Sequence, residues 1–64
     1  QARLAEHLAR LPKRQAEVFV LSRIEGLDAG QIADVLDCSP RTVRVHLHRA
    51  VKRLARELGD YLSE

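Results

Sequence analysis

Leu4, Leu8 and Leu11 recur at an interval that returns each side chain to one face of a helix, so residues 2–10 read as a short first helix. Leu11-Pro12 restarts the chain, with Pro12 expected at the first position of a second helix, where its missing N–H costs nothing. That helix is expected to run to about Glu25 and to end at Gly26, which takes the left-handed conformation without penalty. Its apolar residues fall on two faces: Ala16, Phe19, Val20 and Ile24 on one, Val18 and Leu21 on another. A helix apolar on two sides is either central in its own bundle or shares its second face with a partner.

A third helix opens at Asp28. Its carboxylate can cap, Gln31 can return the bond, and Leu27 can pack over Ile32. Ala29, Ile32, Ala33 and Leu36 lie on one face, and the helix is short, ending near Asp37. The same grammar recurs at once. Cys38 precedes a cap at Ser39, Pro40 stands first inside, and Val43 is placed to pack on Cys38. Val43, Leu47, Ala50, Val51, Leu54 and Leu58 then form one stripe with no breaker before Gly59, predicting a fourth helix of about 19 residues, roughly 28 Å long. No alternating strand pattern or hairpin turn is present. The chain reads as all-α: one four-helix domain over residues 1–64, with a helix-turn-helix at about 28–58, like a winged-helix DNA-binding domain without its wing.

Charge changes this picture from fold to function. Net charge is only +2, but Ser39–Glu57 carries six Lys or Arg against one Glu, a net of +5, while the remainder carries five against eight, a net of −3. Local basic density of this kind attracts a phosphate backbone. With Val43 set at 0°, the apolar stripe of the fourth helix spans about −20° to 80°. Arg41, Val45, His48, Arg49 and Lys52 lie opposite, at about 140° to 240°, with Arg44 and Thr42 on the flanks. The basic residues therefore occupy the side the core cannot use. A helix-turn-helix sets the N-terminal half of its second helix in the major groove. There Arg41, Arg44 and Arg49 can pair with guanine edges, Val45 can meet a thymine methyl, and His48 can stack or donate. Ser39, Thr42 and the helix-start amides suit phosphate. Lys52, Arg53 and Arg56 lie further along, where phosphate or water meets them, and Lys13 and Arg14 can add phosphate contacts from the second helix.

Other chemistries find little support. His46 and His48 point about 160° apart and cannot hold one metal ion, His7 has no ligand-like neighbour in sequence, and no nucleophile–base–acid set is visible. The reading is a non-enzyme with no cofactor. Cys38 reads as a small buried apolar residue; a single cysteine cannot form an internal disulfide, which fits the cytoplasm. No apolar run approaches the roughly 18 residues of a membrane span, and no leader-like segment opens the chain. Gln1 in place of Met suggests a piece of a longer protein.

The stretches "LPKRQAEVFVL", "EGL", "QIADVLDCS" and "TVRVHLHRA", within residues 11–50, together resemble region four of bacterial sigma factors, most closely the extracytoplasmic-function class. That resemblance implies a domain that binds the minus-thirty-five promoter element and the flap of the RNA polymerase β subunit during transcription initiation. The family's base-reading positions fall on Arg44, Val45, His48 and Arg49; Val45 and His48 are variable sites there, expected to set which promoter is read. The polymerase contact would fall on the second face of the second helix, Val18 and Leu21. An anti-sigma protein is a further candidate partner. The chain departs from the pattern at Ser22, where the family often has a phosphate-contacting Arg, and at Asp37, where many members have Gly. A left-handed Asp there costs on the order of 1 kcal/mol.

Two rivals make different demands. A LuxR-type response-regulator output domain has a similar helix-turn-helix but adds a separate dimerising helix, against which the unbroken stripe from Val43 to Leu58 argues. A helical module without a DNA role would turn its basic face to an acidic protein. The first reading predicts a monomer on one non-palindromic site.

Overall fold

The computed structural model describes the backbone from Ala2 to Leu62 and the side chains from Ala5 to Leu58. Leu4, expected to open the first apolar face, has its side chain outside those described residues. The elements in order are α1 (Ala2–Arg10), α2 (Lys13–Phe19) running on through a π-helical turn (Val20–Ile24), α3 (Ala29–Leu36) and α4 (Pro40–Leu62), with no strand among the described residues. The expected all-α, four-helix architecture is the one observed.

α4 is the spine. Its 23 residues extend about 34 Å at 1.5 Å per residue, close to the 37 Å long axis of the molecule. Two groups of side chains pack along it. The first joins Val18, Ile32, Ala33 and Val43, flanked by Leu21, Leu27, Leu36, Cys38 and Leu47. The second joins Leu11, Ala50 and Leu54, flanked by Leu8, Ala16 and Phe19. The two apolar faces of α2 thus serve the two groups, which is why this helix is apolar on both sides. Cys38 is half-buried against the first group, in keeping with its expected apolar role.

Both caps of the helix-turn-helix form as the residue types require. The Asp28 carboxylate accepts from the Gln31 N–H at 2.8 Å, and the Gln31 amide oxygen accepts from the Asp28 N–H at 2.9 Å. α3 ends on Asp37 in the left-handed conformation (φ 56°, ψ 54°), and the Cys38 N–H closes back on the Ala33 carbonyl at 3.0 Å. This is the strained backbone expected of an Asp standing where Gly would be free.

Three boundaries differ from the sequence reading. Pro12 is the cap of α2 and not its first residue: its ψ of 144° is extended while its carbonyl already accepts from the Ala16 N–H at 3.0 Å. The second helix does not stay α-helical to Glu25, because its last turn widens and Glu25 N–H reaches the Val20 carbonyl at 2.9 Å. Gly26 (φ 80°) follows as expected, but the closing bond runs from Leu27 N–H to the Leu21 carbonyl, one residue further back than a usual glycine cap, since the wide turn holds one more residue. Finally, Gly59 does not stop α4, which continues to Leu62. Glycine lowers helix propensity by about 1 kcal/mol but keeps its N–H, so it ends a helix only where packing asks the chain to turn.

Candidate nucleic-acid interface

The start of α4 is fixed by two hydroxyls. Ser39 Oγ accepts from the Thr42 N–H at 3.1 Å and donates to Thr42 Oγ1 at 3.0 Å, while the Ser39 carbonyl accepts from the Val43 N–H at 3.1 Å. Ser39 has thereby committed its hydroxyl proton inside the cap, whereas Thr42 keeps its own to donate outward. Pro40 has no N–H, so Arg41 carries the first-turn amide with no partner among the described residues. Of the two hydroxyls expected at phosphate, Thr42 is the better placed.

Beyond the cap, Arg41, Arg44, Val45, His48 and Arg49 line one shallow concavity on the outer face of α4. These are the five residues singled out as base-contacting. Arg44, which simple rotation put at the flank, is brought into the same depression. Val43, Ala50 and Leu54, each at most 4% exposed, turn the opposite face into the core and so lock the roll of the helix. Val45 is 39% exposed, an apolar side chain held in solvent among cations. No carboxylate lies within 4.0 Å of Arg41, Arg44, Arg49 or Lys52 among the described residues, so their charge is directed outward. The arrangement offers forked donors, one apolar contact and an imidazole on a rigid rod, which can read base edges.

The other expected phosphate contacts are less gathered. Lys52 is exposed one turn beyond Arg49, in the next depression along α4. Lys13 and Arg14 lie in a separate depression with Glu17, and the Arg14 guanidinium donates to the Glu17 carboxylate at 2.9 Å. Arg14 is therefore partly neutralised within its own helix.

The expectation that Val18 meets the polymerase is corrected by its burial. It is 0% exposed, wedged among Ile32, Ala33 and Val43, and no partner can reach it. Leu21 is half-buried: it supports the same core and also lines an apolar groove with Ala16, Glu17, Val20 and Leu36, between α2 and α3.

Two features had no signal in the sequence. His7, reading as unpartnered, is buried with its Nδ1 at 2.6 Å from Glu57 Oε1, fifty residues away. The hydrogen bond from His7 holds the Glu57 carboxyl below its usual range; burial opposes this, and a further hydrogen bond from Arg53 Nε at 3.4 Å assists it. Gln15 is the second: its amide oxygen is buried without a partner among the described residues, beside the cations of the far half of α4. Only the packing of α1 and α2 across α4 brings these pairs together.

A family profile described as "Sigma-70, region 4" matches residues 1–54. The chain is similar to the ECF RNA polymerase sigma factor SigD of Mycobacterium tuberculosis (strain ATCC 25618 / H37Rv), 39% identical over 62 residues, covering 92% of this chain and 29% of the relative. It is also similar to the ECF RNA polymerase sigma factor ShbA of Streptomyces griseus, 47% identical over 47 residues, covering 73% of this chain and 25% of the relative. The chain thus spans under a third of the length of the curated relatives it matches. No solved structure gives a significant match.

Proposed function

The chain belongs to the sigma-70 region 4 family, and on that footing we propose that it binds the minus-thirty-five promoter element as the DNA-reading domain of an extracytoplasmic-function RNA polymerase sigma factor. The observation that carries this reading is the concavity of Arg41, Arg44, Val45, His48 and Arg49, facing outward on a helix whose other face is locked into the core. Set in the major groove, Arg41, Arg44 and Arg49 pair with guanine edges, Val45 packs on a thymine methyl, and His48 stacks or donates. Thr42, Lys52, Lys13, Arg14 and the cap at Ser39 face the backbone and fix register. None of these roles needs a cofactor or a catalytic step.

RNA polymerase core is the proposed second partner, through its β flap. The apolar groove of Ala16, Val20, Leu21 and Leu36 suits an apolar helix or hairpin tip, and Leu21 is the one residue of the expected pair that is available to it. An anti-sigma protein is a third candidate partner, and the domain acts on DNA as a monomer in the cell interior. The unbroken run of α4 from Pro40 to Leu62 supports this over a LuxR-type output domain, whose recognition helix ends early.

Selection of bound sequences from a random duplex pool, followed by titration of Arg49→Ala, tests the reading. The selected site should be single and non-palindromic. Arg49→Ala should cost about 1–3 kcal/mol on it and much less on random duplex. Equal weakening on both would make Arg49 a phosphate contact only, and a stable dimer on a two-fold symmetric site would favour the LuxR-type architecture.

A further inference from the structure

A second charged groove adjoins the base-reading concavity, lined by Gln15 at the start of α2 and by Arg49, Lys52, Arg53 and Arg56 on the far half of α4. We propose that this groove seats backbone phosphates of the same duplex, outside the stretch of bases read by the first half of α4. The proposal rests on the DNA-binding reading above and extends it to a longer footprint.

Four cationic side chains meet there, and the carboxylate nearest to them among the described residues is already divided. Glu57 gives one oxygen to His7 at 2.6 Å and the other to Arg53 at 3.4 Å. Arg49, Lys52 and Arg56 have no carboxylate within 4.0 Å among the described residues. The groove therefore carries uncompensated positive charge, which a polyanion relieves. Gln15 borders the same groove from α2, its amide oxygen buried without a hydrogen-bond partner among the described residues.

Continuity selects DNA over an acidic protein as the occupant. Arg49 lines both the base-reading concavity and this groove, so a duplex on the first is adjacent to the second. From Arg41 to Arg56 α4 advances about 22 Å, nearly twice the roughly 12 Å width of the major groove. The far half of the helix must leave the groove over its rim, where the phosphates stand.

The test compares the wild-type chain with Arg53→Gln/Arg56→Gln on two duplexes carrying the selected site, one with flanks of a full turn and one trimmed to the base-read stretch. Both substituted residues are exposed, and a thermal melt confirms that the variant is folded. On the long duplex the variant should bind roughly 10- to 30-fold more weakly near physiological salt, with a salt slope less negative by about 1.8, two phosphates at 0.9 each. On the trimmed duplex it should match the wild type. Ethylation of flank phosphates should likewise impair the wild type and not the variant. Equal loss on both duplexes would mean diffuse attraction and no seat, overturning the proposal. Unchanged binding on the long duplex would also overturn it and assign the groove to an acidic protein. Failure of the parent reading looks different: the wild type itself would bind both duplexes with a salt slope near zero.

Discussion

His7 on α1 and Glu57 on α4, fifty residues apart in sequence, share a part-buried hydrogen bond, Nδ1 to Oε1 at 2.6 Å. An ionised carboxylate only accepts, so the shared proton sits on His7 Nδ1. The bond ties the first helix of the fold to its longest. Glu57, lowered first by this bond, is better ionised in the folded chain than in the unfolded one. Its contribution to stability is therefore present above its unfolded pKa of 4.5 and lost as pH falls through the lower folded value. Thermal melts from neutral to pH 3 should show a falling acid limb, and Glu57→Gln should flatten it while lowering stability near neutrality. An unchanged limb in Glu57→Gln would show that the bond contributes nothing.

Salt dependence measures how far charge governs binding. With about five phosphates neutralised by α4 and the start of α2, log K against log salt should have a slope of roughly −4 to −5. Titrations from low to physiological salt on the selected site give this value. A slope near zero would turn the basic face toward a protein partner.

Val18 and Val20 separate stability from partner binding. Val18→Ala empties part of the main core and should cost about 2–3 kcal/mol in a denaturation experiment. Val20→Glu, in the apolar groove, should weaken binding to RNA polymerase core at least about tenfold by burying an unpaired charge against the partner, with DNA affinity retained. Loss of DNA binding in step with polymerase binding would mean that Val20→Glu unfolds the domain.

Asp37 tests the strained turn. Asp37→Gly relieves the left-handed penalty at the end of α3 and should raise stability by about 0.5–1 kcal/mol, while Asp37→Val should lower it by roughly 1–2 kcal/mol. Chemical denaturation of both variants decides whether φ 56° stores strain.

The helix-turn-helix was legible because its signals are local. Asp28 with Gln31, Ser39 before Pro40, and the recurrence of Val43, Leu47, Ala50 and Leu54 each act within a few residues, so spacing alone placed two helices, two caps and the outward face of Arg41, Val45, His48 and Arg49. The polarised charge of Ser39–Glu57 marked that face as basic before any packing was known. What tertiary structure decided depends on which surfaces meet. The periodicity of α2 showed two apolar faces but could not say that Val18 is sealed against α3 and α4 while Leu21 and Val20 remain at a groove, since burial is a property of neighbours. The His7–Glu57 bond and the meeting of Gln15 with Arg53 and Arg56 likewise arise between segments distant in sequence. The π-helical turn and the passage of α4 through Gly59 also escaped local rules, because a glycine or a widened turn takes its geometry from what packs around it. Local pattern specifies what each helix can present; only its packing against the others fixes what it buries and what it leaves to a partner.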